Sequence, residues 1–365
     1  MKKFLAMALA LLMVCVMLPV TAMAADRVAL NTITPAADGT YDANDANSAY
    51  VTYEYDTSKT CKSSFDNITD LYWVKTVTIT GVKFSELSDS SSDMALLKKI
   101  IMNGRRTDTS DQFKDSIEVK FIDCSFNQTT THLQVYKICP CNVTKYTFQN
   151  CEFNQAAANQ YALTLNASET GFDRRPISYE ITGCTINAKE RGINITAGTE
   201  IEAIGDRLPT INISNNTITI ADTSKEKNNA FQIAGNWDKA NRTAAGNELI
   251  KISGNTITAY AAVRVHGSLT GESAKYVARF DNNTLKGNTK KAVADGSDAL
   301  TVAIMEIYDE QLTPRTITII IPSTEEPKPA EDQKNPSTGA NDFVGVAAAL
   351  AVVSLLGMAV ASRKK

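Results

Sequence analysis

Histidine is nearly missing from this chain. His132 and His266 are the only two among 365 residues, which excludes a histidine-rich metal centre. Positive charge is not in surplus either: Lys and Arg number 37 against 40 Asp and Glu, a formal net charge of −3. A chain without a basic excess is not built to hold nucleic acid. Aromatic residues amount to 7%, too few for a broad platform on which sugar rings would stack. Cys139-Pro140-Cys141 lacks the second Cys/His pair that a zinc site needs. The acidic stretches Tyr41–Ala46 and Ser88–Asp93 lack the spacing of a calcium loop and read as turns or caps. No metal and no cofactor are expected.

What the chain does have begins with its ends. Residues 1–24 carry the parts of a signal peptide: Lys2 and Lys3, the apolar stretch Phe4 to Val20, and the small-residue site Ala22-Met23-Ala24. The other reading, an uncleaved anchor, is opposed by the shortness of the apolar run. Residues 322–334 mix proline and charge with almost no apolar side chains, the composition of an extended linker. Phe343 to Ser362 is an uncharged run of 20 residues, enough to cross a hydrocarbon core about 30 Å thick. Arg363, Lys364 and Lys365 follow, and a basic end prefers the cytoplasmic side. These residues describe an exported domain with a C-terminal transmembrane helix.

Asn335-Pro336-Ser337-Thr338-Gly339, followed by that span and the basic tail, resembles the cell-wall sorting signal of sortase-anchored Gram-positive surface proteins. The sorting signal then covers 335–365, with the membrane span at 343–362. The resemblance implies that a sortase cuts between Thr338 and Gly339 and joins the Thr338 carboxyl to peptidoglycan, membrane insertion being transient. Asn335 stands where that family usually has Leu, which bears on which sortase acts. A plain tail-anchored membrane protein is the alternative. The expected location is secreted and covalently anchored to the cell wall.

Trimming both ends removes Lys2, Lys3, Arg363, Lys364 and Lys365 but only one carboxylate, Asp342, so the exported part is more acidic than the whole. Cys61, Cys124, Cys139, Cys141, Cys151 and Cys184 remain, an even number that invites disulfides in an exported protein. A repeat containing three of them weakens that reading.

INISNNTIT at 211–219 and IKISGNTIT at 250–258 are nearly the same nine letters. Seven related segments emerge: VTITGVKF (77–84), VKFIDCSF (119–126), YTFQNCEF (146–153), YEITGCTI (179–186), INISNNTI (211–218), IKISGNTI (250–257) and ARFDNNTL (278–285). Each is two short strands of alternating faces around a turn-prone pair. The eighth positions, Phe84, Phe126, Phe153, Ile186, Ile218, Ile257 and Leu285, can share one interior only if the chain coils and stacks them. The sixth positions run Val82, Cys124, Cys151, Cys184, Asn216, Asn255, Asn283. Asn tolerates a left-handed bend and stacks along an axis. The cysteines read as small apolar members of the same ladder, with a disulfide between stacked neighbours as the alternative.

A third strand is expected in each repeat: HLQVY (132–136), ALTLN (162–166), GINIT (192–196), AFQIA (230–234), AVRVH (262–266) and ALTVA (299–303). Residues 25–70 form an irregular N-terminal cap, and RTITIII (315–321) a closing strand. The expected fold is all-β, a parallel β-helix solenoid of about seven coils over 71–321. The pattern resembles the right-handed, pectate-lyase-like β-helix family, and the handedness is what that resemblance implies.

The same resemblance places a ligand cleft on the outward face of the third strands. Its residues are Gln134, Tyr136, Thr164, Asn166, Asn194, Thr196, Gln232, Ala234, Arg264, His266, Thr301 and Ala303, none of them a carboxylate. A glycosidase needs two carboxyl groups, and a calcium-dependent lyase several acidic ligands. The lyase-like Arg-x-Pro-x-x-Arg is missing, since Arg207-Leu208-Pro209 leads to Asn212. Arg264 and His266, on one strand face, are the catalytic candidates, able to hold a carboxylate or move a proton; a solvated pair is the plainer reading. The expected function is non-catalytic adhesion or binding of a polysaccharide or host-surface glycan. The alternative is a wall-anchored carbohydrate-active enzyme, a polysaccharide lyase or glycoside hydrolase.

Overall fold

The seven segments align residue for residue in the computed structural model. The structure describes residues 27–61, 71–105, 117–138, 143–167, 176–197, 208–235, 249–266, 276–294, 297–299, 305–308 and 314–320. The expected signal peptide, linker and sorting signal, Asn335 to Gly339 included, lie outside the described residues, as do Cys139 and Cys141. Among the described residues no helix is long and apolar enough to cross a membrane; the span expected at 343–362 lies outside them.

Among the described residues the protein is mostly β, in three sheets whose neighbouring strands run parallel except near the two ends. A ten-stranded sheet holds the first strand of every segment, and Val77, Val119, Tyr146, Tyr179, Ile211, Ile250 and Ala278 form one row across it. An eight-stranded sheet holds the second strands, with Phe84, Phe126, Phe153, Ile186, Ile218, Ile257 and Leu285 in register. A seven-stranded sheet carries the third strands.

Alternation explains the burial. Along Ile117–Ile122 the odd positions are buried and the even ones only half-buried, and Thr217–Ile220 alternates exposed and buried, as a period of two requires. Between the paired strands the fifth position of every segment turns left-handed: Gly81, Asp123, Asn150, Gly183, Asn215, Gly254 and Asn282 have φ between 53 and 66°. Only Gly, Asn and Asp enter that region at little cost. The left-handed bend expected at the sixth position lies one residue earlier.

The sixth position instead carries a ladder of hydrogen bonds. Asn216, Asn255 and Asn283 donate Nδ2 to the carbonyls of Ile181, Ile213 and Ile252 one segment back, at 3.0, 3.1 and 2.9 Å. Their Oδ1 atoms accept from the backbone N–H of Cys184, Asn216 and Asn255. Cys124, Cys151 and Cys184 are free thiols in the same place, so the disulfide alternative is set aside. Their Sγ atoms donate to the carbonyls of Ile79, Phe121 and Phe148 at 3.4, 3.3 and 3.6 Å. They are therefore weak polar rungs, more than the apolar filler expected of them.

Inside, Phe84, Phe126 and Phe153 stack with centroids 4.7 and 4.9 Å apart, and Phe121 lies on Phe148 at 5.0 Å. Each such buried ring contributes roughly 1.5–3 kcal/mol over exposure.

Three elements differ from expectation. The N-terminal region is not wholly irregular: Val51–Cys61 pairs antiparallel with Leu71–Thr80. A helix, Ser92–Met102, follows the first segment where later segments have a third strand. Ser91 caps it by accepting from the Met94 N–H, and it buries Met94, Leu97, Ile100 and Ile101. Finally, Lys290–Ala294, and not 299–303, pairs beside Ala261–Val265. Ser297–Ala299 folds back antiparallel on it, and Thr301 and Ala303 lie outside the described residues. The closing strand is present as Pro314–Ile320, parallel to Tyr276–Asp281.

Candidate functional site

The third sheet aligns five of the expected face residues in one row. Gln134 pairs with Thr164, Thr164 with Asn194, Asn194 with Gln232, and Gln232 with Arg264. Side chains link along the row, Arg264 Nη1 donating to Gln232 Oε1 at 2.8 Å and Gln232 Nε2 to Asn194 Oδ1 at 3.2 Å. The Thr164 hydroxyl is buried without a hydrogen-bond partner. Asn166, Thr196 and Ala234 form the next row. His266 extends the Arg264 strand, its N–H donating to the Ile233 carbonyl at 2.9 Å. Tyr136 leaves the face: Val135–Lys137 is a 3-10 turn, and the Tyr136 ring packs against the core instead.

Each end of the row opens into a cavity. At one end, about 230 Å³ is lined by Met94, Asp89, His132, Gln134, Lys137 and Gln160. The His132 ring nitrogens lie 2.9 Å from Gln160 Oε1 and 2.8 Å from Gln134 Nε2, and Lys137 pairs with Asp89 at 2.8 Å. The helix thus supplies one wall of the site, through Met94.

At the other end a cavity of about 330 Å³ lies against Arg191, Arg264, Asn159, Glu190 and the turn Lys225–Asn228. Asn159 adopts φ 59°, and its N–H donates to Glu190 Oε2 at 2.9 Å. Lys225 approaches Glu190 at 3.7 Å and Asp222 at 3.4 Å. The Arg191 guanidinium lies 5.4 Å from the Tyr161 ring centre. Its two contacts to Asn159 are both 3.4 Å, long for hydrogen bonds, and its Nε is buried without a partner. Burial raises the Tyr161 phenol above its ordinary pKa, against the opposing pull of Arg191 and Arg264. Glu226 Oε1 is also buried and unpartnered.

Close packing of strands underlies this end. Gly192 shares the outward parity of Asn194, and a Cβ there would stand 2.2 Å from the Ala230 carbonyl oxygen. No other residue fits without moving the backbone.

Sequence reasoning found Arg264 and the row but missed Glu190, Arg191 and the Lys225–Lys227 turn. The outward strand positions hold no carboxylate, yet Glu190, one residue before the strand Arg191–Ala197, comes to the cavity beside Arg264. His266 is not among the residues lining it. The available signal was charge: Lys189-Glu190-Arg191 runs into the start of one third strand, and Lys225-Glu226-Lys227 stands just before the next. Comparison with protein-family models, with curated proteins and with solved structures returns no match for this chain.

Proposed function

We propose that this is a wall-anchored surface protein whose ectodomain is a right-handed parallel β-helix of about seven coils, and that it binds a glycan along its third sheet without cleaving it. The coiled reading is supported by the order in which successive segments, from the second onward, add one strand to each of three sheets. Anchoring rests on Asn335 to Gly339 and the residues after them, with a sortase and peptidoglycan as partners.

The observation that carries glycan binding is the row Gln134, Thr164, Asn194, Gln232 and Arg264. At about 4.8 Å per strand it runs about 19 Å; Gln134, Asn194 and Arg264 are half-buried and offer two amides and a guanidinium to an extended chain of hydroxyls, while Thr164 and Gln232 lie buried between them. A second reading, a lyase or hydrolase, is favoured by one feature: the unpartnered Glu226 oxygen in the cavity that Arg264 also lines.

A glycan-array screen of the exported chain, with mass spectrometry of each bound sugar, separates the two. Intact sugars are expected; shortened or unsaturated products would replace binding with catalysis. A Thr338→Ala chain is expected to stay in the membrane fraction, and equal covalent attachment of both forms to the wall would remove the sortase assignment.

A further inference from the structure

We infer that the cavity under the Lys225–Asn228 turn is an anion subsite, in which Arg191 and Arg264 grip one carboxylate, sulfate or phosphate group carried by the saccharide on the third sheet. The inference rests on the glycan reading above and specifies its charge.

Four cations and two carboxylates line the cavity, in a chain whose net charge is −3. Glu190 is already occupied, accepting from the Asn159 N–H and paired with Lys225. Arg191 has no ion pair among the described residues and keeps a buried, unpartnered Nε, although Tyr161 and Asn159 hold its plane in place. A guanidinium presents five donors in a rigid fork, so an oriented and underused one is suited to a planar or tetrahedral oxyanion. Arg264, oriented by Gln232, stands two strands away and three residues further along, about 14 Å between backbones, a span two long arginine side chains can close, and it lines the same cavity. Glu226 is the counter-element: its buried oxygen has no donor, and its charge opposes an entering anion.

The test is calorimetric titration of the full chain at low salt with sodium sulfate, then with a sulfated oligosaccharide and its desulfated counterpart. Carboxylated and phosphorylated counterparts identify the source of the anionic group. The sulfated sugar is expected to bind about tenfold more tightly than the desulfated one. Arg191→Gln should erase that ratio while leaving the desulfated sugar bound, whereas Arg264→Gln, which also removes a member of the row, should erase the ratio and weaken both sugars. Glu226→Gln should tighten sulfate about threefold, a gain that a damaged fold does not produce. Equal binding of charged and neutral sugars would overturn the subsite and leave the glycan reading standing. Sulfate binding that Arg191→Gln abolishes, without binding of any saccharide, would uphold the subsite and remove the glycan reading. No binding of either removes both.

Discussion

Between Val119 and Ile186 the sixth position of each segment is Cys; between Ile211 and Leu285 it is Asn. Both halves place that side chain against the carbonyl of the preceding segment's third residue. The amide half does so at 2.9–3.1 Å and also accepts from backbone N–H groups. The thiol half reaches 3.3–3.6 Å with a poorer donor. It compensates inside: Phe84, Phe121, Phe126, Phe148 and Phe153 interlock there, while the amide half fills the same positions mainly with Ile. One backbone path is thus held by aromatic packing at one end and by polar rungs at the other.

Breaking the aromatic half should cost most. Phe126→Ala removes a ring contacting four others and is expected to lower stability by about 3–5 kcal/mol in denaturant unfolding. Breaking the amide half comes next. Asn255→Ala strips the Asn216 N–H and the Ile213 carbonyl of buried partners, an expected loss of about 2–4 kcal/mol. Cys151→Ala should cost only about 1 kcal/mol; a loss as large as that of Asn255→Ala would show that the two kinds of rung are equivalent.

A smaller effect sharpens the contrast between the repeat and the turns beside it. Glu86 is disfavoured as a charge by partial burial, but N–H and hydroxyl donors of Thr129, Thr130 and Thr131 outweigh this and lower its pKa to about 2. Its contribution is complete above the ordinary carboxylate range and is lost as pH falls from there through about 2. Glu86→Gln should therefore cost about 1 kcal/mol at pH 7, and the difference from the unaltered chain should vanish at the acid end of a pH series of unfolding curves.

The smallest expected signal is chemical. Cys124, Cys151 and Cys184 are buried, and burial pushes the Cys124 and Cys151 thiols well above their ordinary pKa. Peptide mapping after iodoacetamide at pH 8 should find these three unlabelled until the chain is unfolded. Labelling of Cys151 in the folded protein would mean that the thiol half opens far more readily than the amide half.

Much of the architecture was legible because its signals are local. The alternation in VKFIDCSF and its six relatives marks strand faces, and residues tolerant of left-handed backbone mark every bend. The helix Ser92–Met102 had a signal too, in the Ser91 cap and the spacing of Met94, Leu97 and Ile100, but neighbouring serines and aspartates made the stretch read as a turn. Placing the last third strand at 299–303 failed because Lys290–Ala294 has the same alternation closer to the segment it follows.

The sequence alone determined which residues face inward and how one segment registers on the next, since a period of two and a repeated bend leave a single pairing that buries every apolar row. It also isolated Arg264 on the third-strand face. Only tertiary structure decided what stands around Arg264. Glu190 and Arg191 come from one repeat, the Lys225–Asn228 turn from the next and Arg264 from the one after, and no local pattern records that strand pairing sets them side by side. Their juxtaposition follows from the pairing of Arg191–Ala197 with Asn229–Gly235, and of that strand with Ala261–Val265, which joins residues far apart in the chain.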